Sequence, residues 1–265
     1  MNLFDSIFGT RYLIDAACFS DKGKVRGINE DNFYFNGKYL PESNNGLKRV
    51  LSEETELKDS LFFAVFDGMG GGDYGEIASY TSAAFSDSFL ADSDNINRSD
   101  ITLSLRDMCL QMNEKVFETG EELGAYMFGS TVVSVYFCTD QMWFSNVGDS
   151  RAYLYRNHKL EQVSKDHIET NEYAKSHRQK PALLQHLGID PEEIQLEPTI
   201  NRFHIERGDV ILLCSDGLTD MVDNASIAAE LSEKRSPTET VQRLYEKAMH
   251  AGGIDNITVI IIAVI

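Results

Sequence analysis

Five short segments of this sequence each set an acidic residue beside a strand-like run. They are Arg26-Gly-Ile-Asn-Glu30-Asp31, Asp67-Gly68-Met69-Gly70-Gly71, Gly148-Asp149-Ser150-Arg151, Ser215-Asp216-Gly217-Leu218 and Asp255-Asn256-Ile257-Thr258. Strand ends are where a sheet can project several carboxylates into one cleft. Hard divalent cations such as Mg2+ and Mn2+ select carboxylate, carbonyl and water ligands, and aspartates without a His/Cys cluster suit them better than zinc. Two bridged cations clamp the oxygens of a phosphate ester and acidify a bound water, which provides the electrophile and the nucleophile that ester hydrolysis needs at neutral pH. Glycine after Asp67 lets the Gly68 carbonyl approach a metal closely. Each segment also has a plainer reading. Asp-Gly is a common turn dipeptide, so Asp67-Gly68 and Asp216-Gly217 read singly as turns, as does Asp255-Asn256 before a strand. Arg26 with Glu30, and Asp149 with Arg151, read equally as surface ion pairs of small energetic value.

The elements that must position these residues are legible as periodicities. Runs rich in β-branched and aromatic residues predict strands over 12–19, 32–35, 61–66, 131–139, 141–147, 152–156, 210–214 and 256–264. Cys138-Thr-Asp-Gln141 and Arg156-Asn-His-Lys159 read as hairpin turns, which favours antiparallel sheets over repeated βαβ units. Helical patterns cover 74–90, 100–122, 224–233 and 237–250. Ser236 to Glu239 forms a capping box with Pro237 at the first helical position, and Gly252-Gly253 is a stop. One helix pair lies early and one late, which suggests sheets sandwiched between helix layers. The polar connection 40–59 is read with a short helix near 47–57, and 167–198 has only weak periodicity.

Composition narrows the partners. A net charge of −18 without a dense Lys/Arg stripe excludes a phosphodiester backbone, so no nucleic acid is expected. Cys18, Cys109, Cys138 and Cys214 form no CxxC pair and sit mostly in apolar segments, as free thiols of a reduced, cytoplasmic protein do. Residues 1–11 do not read as a signal peptide, and the longest apolar run, about nine residues at 257–265, is too short to span a bilayer, so no membrane association is expected. No Pro/Gly/Ser-rich linker or repeat divides the chain, and a single domain over 1–265 is the simplest reading.

Taken in order, Arg-x-x-Asn-Glu-Asp, Asp-Gly-x-Gly-Gly, Phe128-Gly129-Ser130-Thr131, Gly-Asp-Ser-Arg, Ser-Asp-Gly-Leu and Asp-Asn-x-Thr closely resemble the metal-dependent serine/threonine protein phosphatases of the 2C type (PPM family), in their bacterial-type catalytic domain. The resemblance runs from Arg26 to the C-terminal strand. It implies an α+β fold, a four-layer α-β-β-α sandwich of two antiparallel sheets flanked by helix pairs. It implies hydrolysis of phosphoserine and phosphothreonine in proteins, substrates of a serine/threonine kinase, by a water activated between two Mn2+ or Mg2+ ions. By motif match, Asp67 bridges both metals, Gly68 gives its carbonyl to one, and Asp216 with Asp255 completes the other. Asp149 with Asp216 holds a third, weaker cation. Glu30 and Asp31 orient metal-bound waters, and Arg26 grips the substrate phosphate in a bidentate pair that lysine cannot make. The motif around Gly129 implies a core strand with a packing role. Two departures stand out: Met69 occupies a position where some members carry histidine, and 183–188 only loosely matches the flap beside the site. Met69 has no proton to give, so protonation of the leaving oxygen falls to a metal-bound water, and His167 and His186 in the flap are read as solvent-exposed bystanders. Two alternatives remain: a catalytically inert phosphoprotein-binding relative of the same fold, which a missing carboxylate would signal, and a different two-metal hydrolase such as a nuclease, which the acidic surface disfavours.

Overall fold

The computed structural model describes residues 12–69, 74–169 and 181–265. In chain order its strands are β1 (Leu13–Asp21), β2 (Asp31–Phe35), β3 (Leu51–Glu56), β4 (Ser60–Met69), β5 (Gly129–Ser130), β6 (Val132–Cys138) and β7 (Gln141–Val147). They continue as β8 (Arg151–Arg156), β9 (Lys159–Gln162), β10 (Thr199–His204), β11 (Val210–Cys214) and β12 (Ile257–Val264). The helices are α1 (Gly75–Ala91), α2 (Ile101–Leu123), the single turn α3 (Asp216–Thr219), α4 (Asn224–Ser232) and α5 (Pro237–Ala251). One antiparallel sheet runs β3-β1-β12-β11-β8-β9 and the other β10-β7-β6-β4-β2, with β5 pairing β4.

Alternation along the strands explains the layering. In β12, Ile260, Ile262 and Val264 face the other sheet, while Ile257, Val259 and Ile261 pack under the C-terminal helices. In β4, Leu61, Phe63 and Val65 face inward, and Phe62, Ala64 and Phe66 lie under α1 and α2. Such strands read as unbroken apolar runs because both faces are buried. Each buried aliphatic or aromatic side chain contributes roughly 1.5–3 kcal/mol. The three resulting cores make the expected α-β-β-α sandwich.

The local signals also hold. Asn157 and His158 both adopt the left-handed conformation (φ 51° and 62°), joining β8 to β9 as a two-residue hairpin requires. Ser236 and Glu239 exchange capping-box hydrogen bonds, and the Gly252 N–H closes α5 on the carbonyls of Ala248 and Met249. All four cysteines are free and buried. Among the described residues no helix is long and apolar enough to cross a membrane.

One expectation is overturned. The stretch 47–57 holds no helix; its core is the edge strand β3, paired among the described residues only to β1. Its sequence, Leu-Ser-Glu-Glu-Thr-Glu, has the composition of a helix, but Leu51, Glu53 and Thr55 are half-buried on one face while the alternate residues meet solvent. Strands β9 and β10 are likewise edges that went unread.

Strand register brings the acidic segments to one end of the sandwich. Asp31, at the start of β2, is the partner of Asp67 near the end of β4. Val65 pairs Val133 and Val132 pairs Val147, so the end of β7 lies at that same end. In the other sheet Cys214 at the end of β11 pairs both Arg151 and Val259, which brings the starts of β8 and β12 there as well.

Candidate active site

The Asp67 backbone is fixed from the β5–β6 junction. Its N–H donates to Thr131 Oγ1 (3.1 Å), its carbonyl accepts from the Thr131 N–H (2.8 Å), and the Ser130 hydroxyl donates to the same carbonyl (3.1 Å). Thr131 Oγ1 lies 2.7 Å from Ser150 Oγ, tying this unit to the segment carrying Asp149. At Gly68 a Cβ would stand 2.0 Å from the Gly75 carbonyl oxygen and 2.5 Å from that of Glu30. Only glycine lets three backbones meet here. The remainder of that motif, Gly70 and Gly71, lies outside the described residues.

Asp216 opens α3, directly after Ser215, and is buried to 5% exposure while still lining the cleft. Ser215 Oγ donates to Asp31 Oδ2 (2.6 Å) and accepts from the Thr258 N–H (3.0 Å), joining β2, β11 and β12. Asp31 is therefore not placed as expected. At 1% exposure it lies beneath the cleft and not in its lining, with no hydrogen-bond partner for Oδ1 among the described residues. Burial pushes its carboxyl up to about 7, against the lowering effect of the Ser215 hydrogen bond.

Arg26 and Glu30 belong to a loop pinned by Asn256, whose Oδ1 accepts the Glu30 N–H (2.8 Å) and whose Nδ2 donates to the Lys22 and Ile28 carbonyls (3.0 and 2.9 Å). Arg26 Nη2 stands 2.8 Å from Asp255 Oδ2, and Nη1 3.7 Å from Glu30 Oε2. The Asp255 hydrogen bond holds the guanidinium firmly protonated, while burial raises the Glu30 carboxyl.

Asp149 follows Gly148, whose φ of +104° and contact with Thr131, 2.6 Å from any Cβ, both demand glycine. Arg151 does not pair with Asp149: its Nε and Nη2 take Asp166 at 3.0 and 2.6 Å. His167 is 9% exposed, contrary to its expected exposure. Its Nδ1 accepts the Gly148 N–H (3.2 Å), which places its proton on Nε2, 2.9 Å from Thr199 Oγ1. Burial, reinforced by Lys165 and opposed by Asp166 and Glu197, lowers its pKa below 6.5. Below that pH the unfolded chain takes up a proton that folded His167 refuses. Its contribution, fully present above pH 6.5, is lost as pH falls toward the folded pKa, at no more than about 1.4 kcal/mol per pH unit. Urea titrations at pH 7 and pH 5.5 are expected to show this loss, and His167→Gln to reduce it. An unchanged slope in the variant would assign the pH dependence elsewhere.

One cleft of about 670 Å³ is lined by Arg26, Glu30, Asp67, Gly68, Asp149, Asp216 and Asp255. Thr131, Asn256 and His186, which sequence reasoning did not assign to the site, line it too. His186 Nδ1 lies 2.9 Å from the Leu187 carbonyl. The charged donors are all carboxylates, beside one imidazole and the weakly ligating thioethers of Met69 and Met127, and glycine at 68 leaves a backbone carbonyl unshielded by any side chain of its own. That chemistry fits a hard divalent cation. Among the described residues no three His, Cys, Asp or Glu side chains gather into a ligand group, and Arg26 engages Asp255.

Known proteins resemble this chain in sequence and fold. The family model described as protein phosphatase 2C matches residues 52–251. The serine/threonine phosphatase stp of Listeria monocytogenes is 31% identical over 92% of this chain and 93% of its own length. The structure of the S. agalactiae serine/threonine phosphatase superposes with a TM-score of 0.76 at 28% identity, covering 94% of this chain and 99% of that one. The catalytic domain of the serine threonine protein phosphatase PstP, in complex with two manganese ions, superposes with a TM-score of 0.74 at 29% identity, covering 96% and 99%. With the motifs in order, the fold in common and a relative similar along nearly its whole length, this chain belongs to the protein phosphatase 2C family.

Proposed function

We propose that the chain hydrolyses phosphoserine and phosphothreonine in proteins, as a metal-dependent protein phosphatase whose catalytic domain spans 1–265. The convergence of Asp67, Asp149, Asp216, Asp255 and the Gly68 carbonyl on one cleft beside Arg26 carries this reading. Asp67 and Gly68, with Asp216 and Asp255, would hold two Mn2+ or Mg2+ ions, and Asp149 with Asp216 a third, weaker one. Bound there, such ions neutralise phosphate charge and make a nucleophilic water available at neutral pH.

The chain's own groups do the positioning. Arg26 offers a bidentate fork to the phosphate, for which it exchanges its pairing with Asp255. Glu30, held by Asn256 at the cleft edge, orients water. Asp31 acts one step removed, through Ser215, the residue before Asp216, and is a positioning residue. The substrates are phosphoproteins made by a serine/threonine kinase, met in the cytoplasm. An inert relative would have lost a metal carboxylate, and here Asp67, Asp149, Asp216 and Asp255 all line the cleft.

Turnover of a phosphoserine peptide, p-nitrophenyl phosphate and single-stranded DNA, each with Mn2+, tests this. The first two are expected to be hydrolysed and the DNA left intact. Cleavage of DNA alone would assign the centre to a nuclease, and binding of the phosphopeptide without turnover to an inert relative.

A further inference from the structure

Two side chains in the catalytic cleft have no part in the chemistry above. Ile28 and Met127 line it, yet are 46% and 57% exposed. Met127 also adopts a left-handed backbone (φ 58°), uncommon for a residue with a Cβ and costly unless its surroundings impose it.

The surroundings do impose it. After α2 the chain turns with the Gly124 N–H on the Glu121 carbonyl (3.1 Å) and the Ala125 N–H on the Gly120 carbonyl (3.0 Å). Phe128, 5% exposed, then packs its ring where a Cβ on Gly120 would come within 2.9 Å. Met127 sits between these two anchors. The Ile28 carbonyl is held by Asn256 at 2.9 Å. Both backbones are thus fixed while both apolar side chains stay in solvent. Neither the strain nor the exposure gains packing within the folded chain. Met69, Pro181 and Leu183 extend the apolar part of the same cleft, whose volume of about 670 Å³ is of the size that takes a ligand far larger than one phosphorylated side chain.

We propose that Ile28 and Met127 contact the side chain adjacent to the phosphorylated residue and select substrates in which that neighbour is aliphatic. This rests on the phosphatase reading above. The occupant is a phosphopeptide continuous with the residue held at the metal centre. The same cleft presents Glu30, Asp67, Asp149, Asp216 and Asp255, which count against an acidic neighbour. Methionine, flexible and polarisable, accommodates Leu, Ile or Val alike.

The test compares kcat/KM for phosphoserine peptides that carry Leu or Ser immediately before, or immediately after, the phosphorylated residue. The wild-type protein is expected to favour Leu on one side by about tenfold, as contact with a few methylenes gives. Met127→Gly suits a left-handed position and removes the side chain, so the variant folds; Ile28→Ser is combined with it. The Leu:Ser ratio is expected to fall below about twofold in the double variant, where a merely structural role would lower both peptides together. Equal use of Leu and Ser peptides by the wild-type protein, or an unchanged ratio in the double variant, overturns the proposal. If the wild-type protein hydrolyses neither peptide nor p-nitrophenyl phosphate, the phosphatase reading has failed and the selectivity proposal falls with it.

Discussion

Exhaustive chelation should abolish phosphopeptide hydrolysis, and added Mn2+ should restore it. Among the described residues the cleft supplies carboxylate donors for cations and holds no cysteine, so the nucleophile is assigned to a metal-activated water. Charge stabilisation by the metal is worth several kcal/mol, so its removal should cost on the order of 10³-fold or more in rate. Activity is measured after dialysis against EDTA, then on titration with Mn2+ or Mg2+. Full activity in the chelated protein would sink the two-metal reading. Asp67 and the Glu30 loop are held by hydrogen bonds to Thr131 and Asn256, so the chelated protein should keep its fold and its circular dichroism spectrum.

Asp216→Asn should separate chemistry from stability. Asp216 sits at the first turn of α3, fixed by Ser215 before it, and Gly217 is packed so tightly that a Cβ there would lie 1.9 Å from the Asn256 carbonyl oxygen. The amide keeps the shape but loses the charge a cation needs. A fall in kcat of about 10²-fold or more is expected. Without metal, Tm should be unchanged or higher, because one negative charge leaves a cleft also lined by Glu30, Asp67, Asp149 and Asp255. With Mn2+, the wild-type Tm should rise by mass action and the variant's rise should be smaller. A large drop in Tm with a modest loss of rate would reassign Asp216 to the turn.

The sequence disclosed whatever is local. Strands buried on both faces, such as β12, are unbroken apolar runs; the hairpin at 156–159 and the cap at Ser236 carry their turn chemistry within four residues. The motif carboxylates were legible only together: each segment alone reads as a turn or a surface ion pair, and the ordered set at strand ends carries the signal. What stayed hidden acts at a distance. Asn256 reaches 226 residues back to Glu30, and Ser215 184 residues back to Asp31. No short-range signal distinguishes such an Asn or Ser from a turn residue, and Asp31, adjacent to Glu30, gave no hint that one faces the cleft and the other lies under it. Strand β3 was misread because an edge strand rich in glutamate has the composition of a helix, and only its pairing with β1 decides the matter.

The placement of β12 between β1 and β11 also dictates when the enzyme comes into being. Ile14 pairs with Val264, so β1 leaves the ribosome 264 − 14 = 250 residues before its inner partner. At synthesis rates of about 5–20 residues per second, that is a wait of roughly 12–50 s. Through that interval the nascent chain has only β3 to pair with β1, and it lacks both Asp255 and the Asn256 side chain that organises the Arg26–Glu30 loop. A stalled or C-terminally clipped product therefore has an open sheet edge and no assembled centre. Phosphatase activity waits on the synthesis of β12 and of Asp255 and Asn256 just before it, and chains that lack them are targets for chaperones and proteases before they can act on any phosphoprotein.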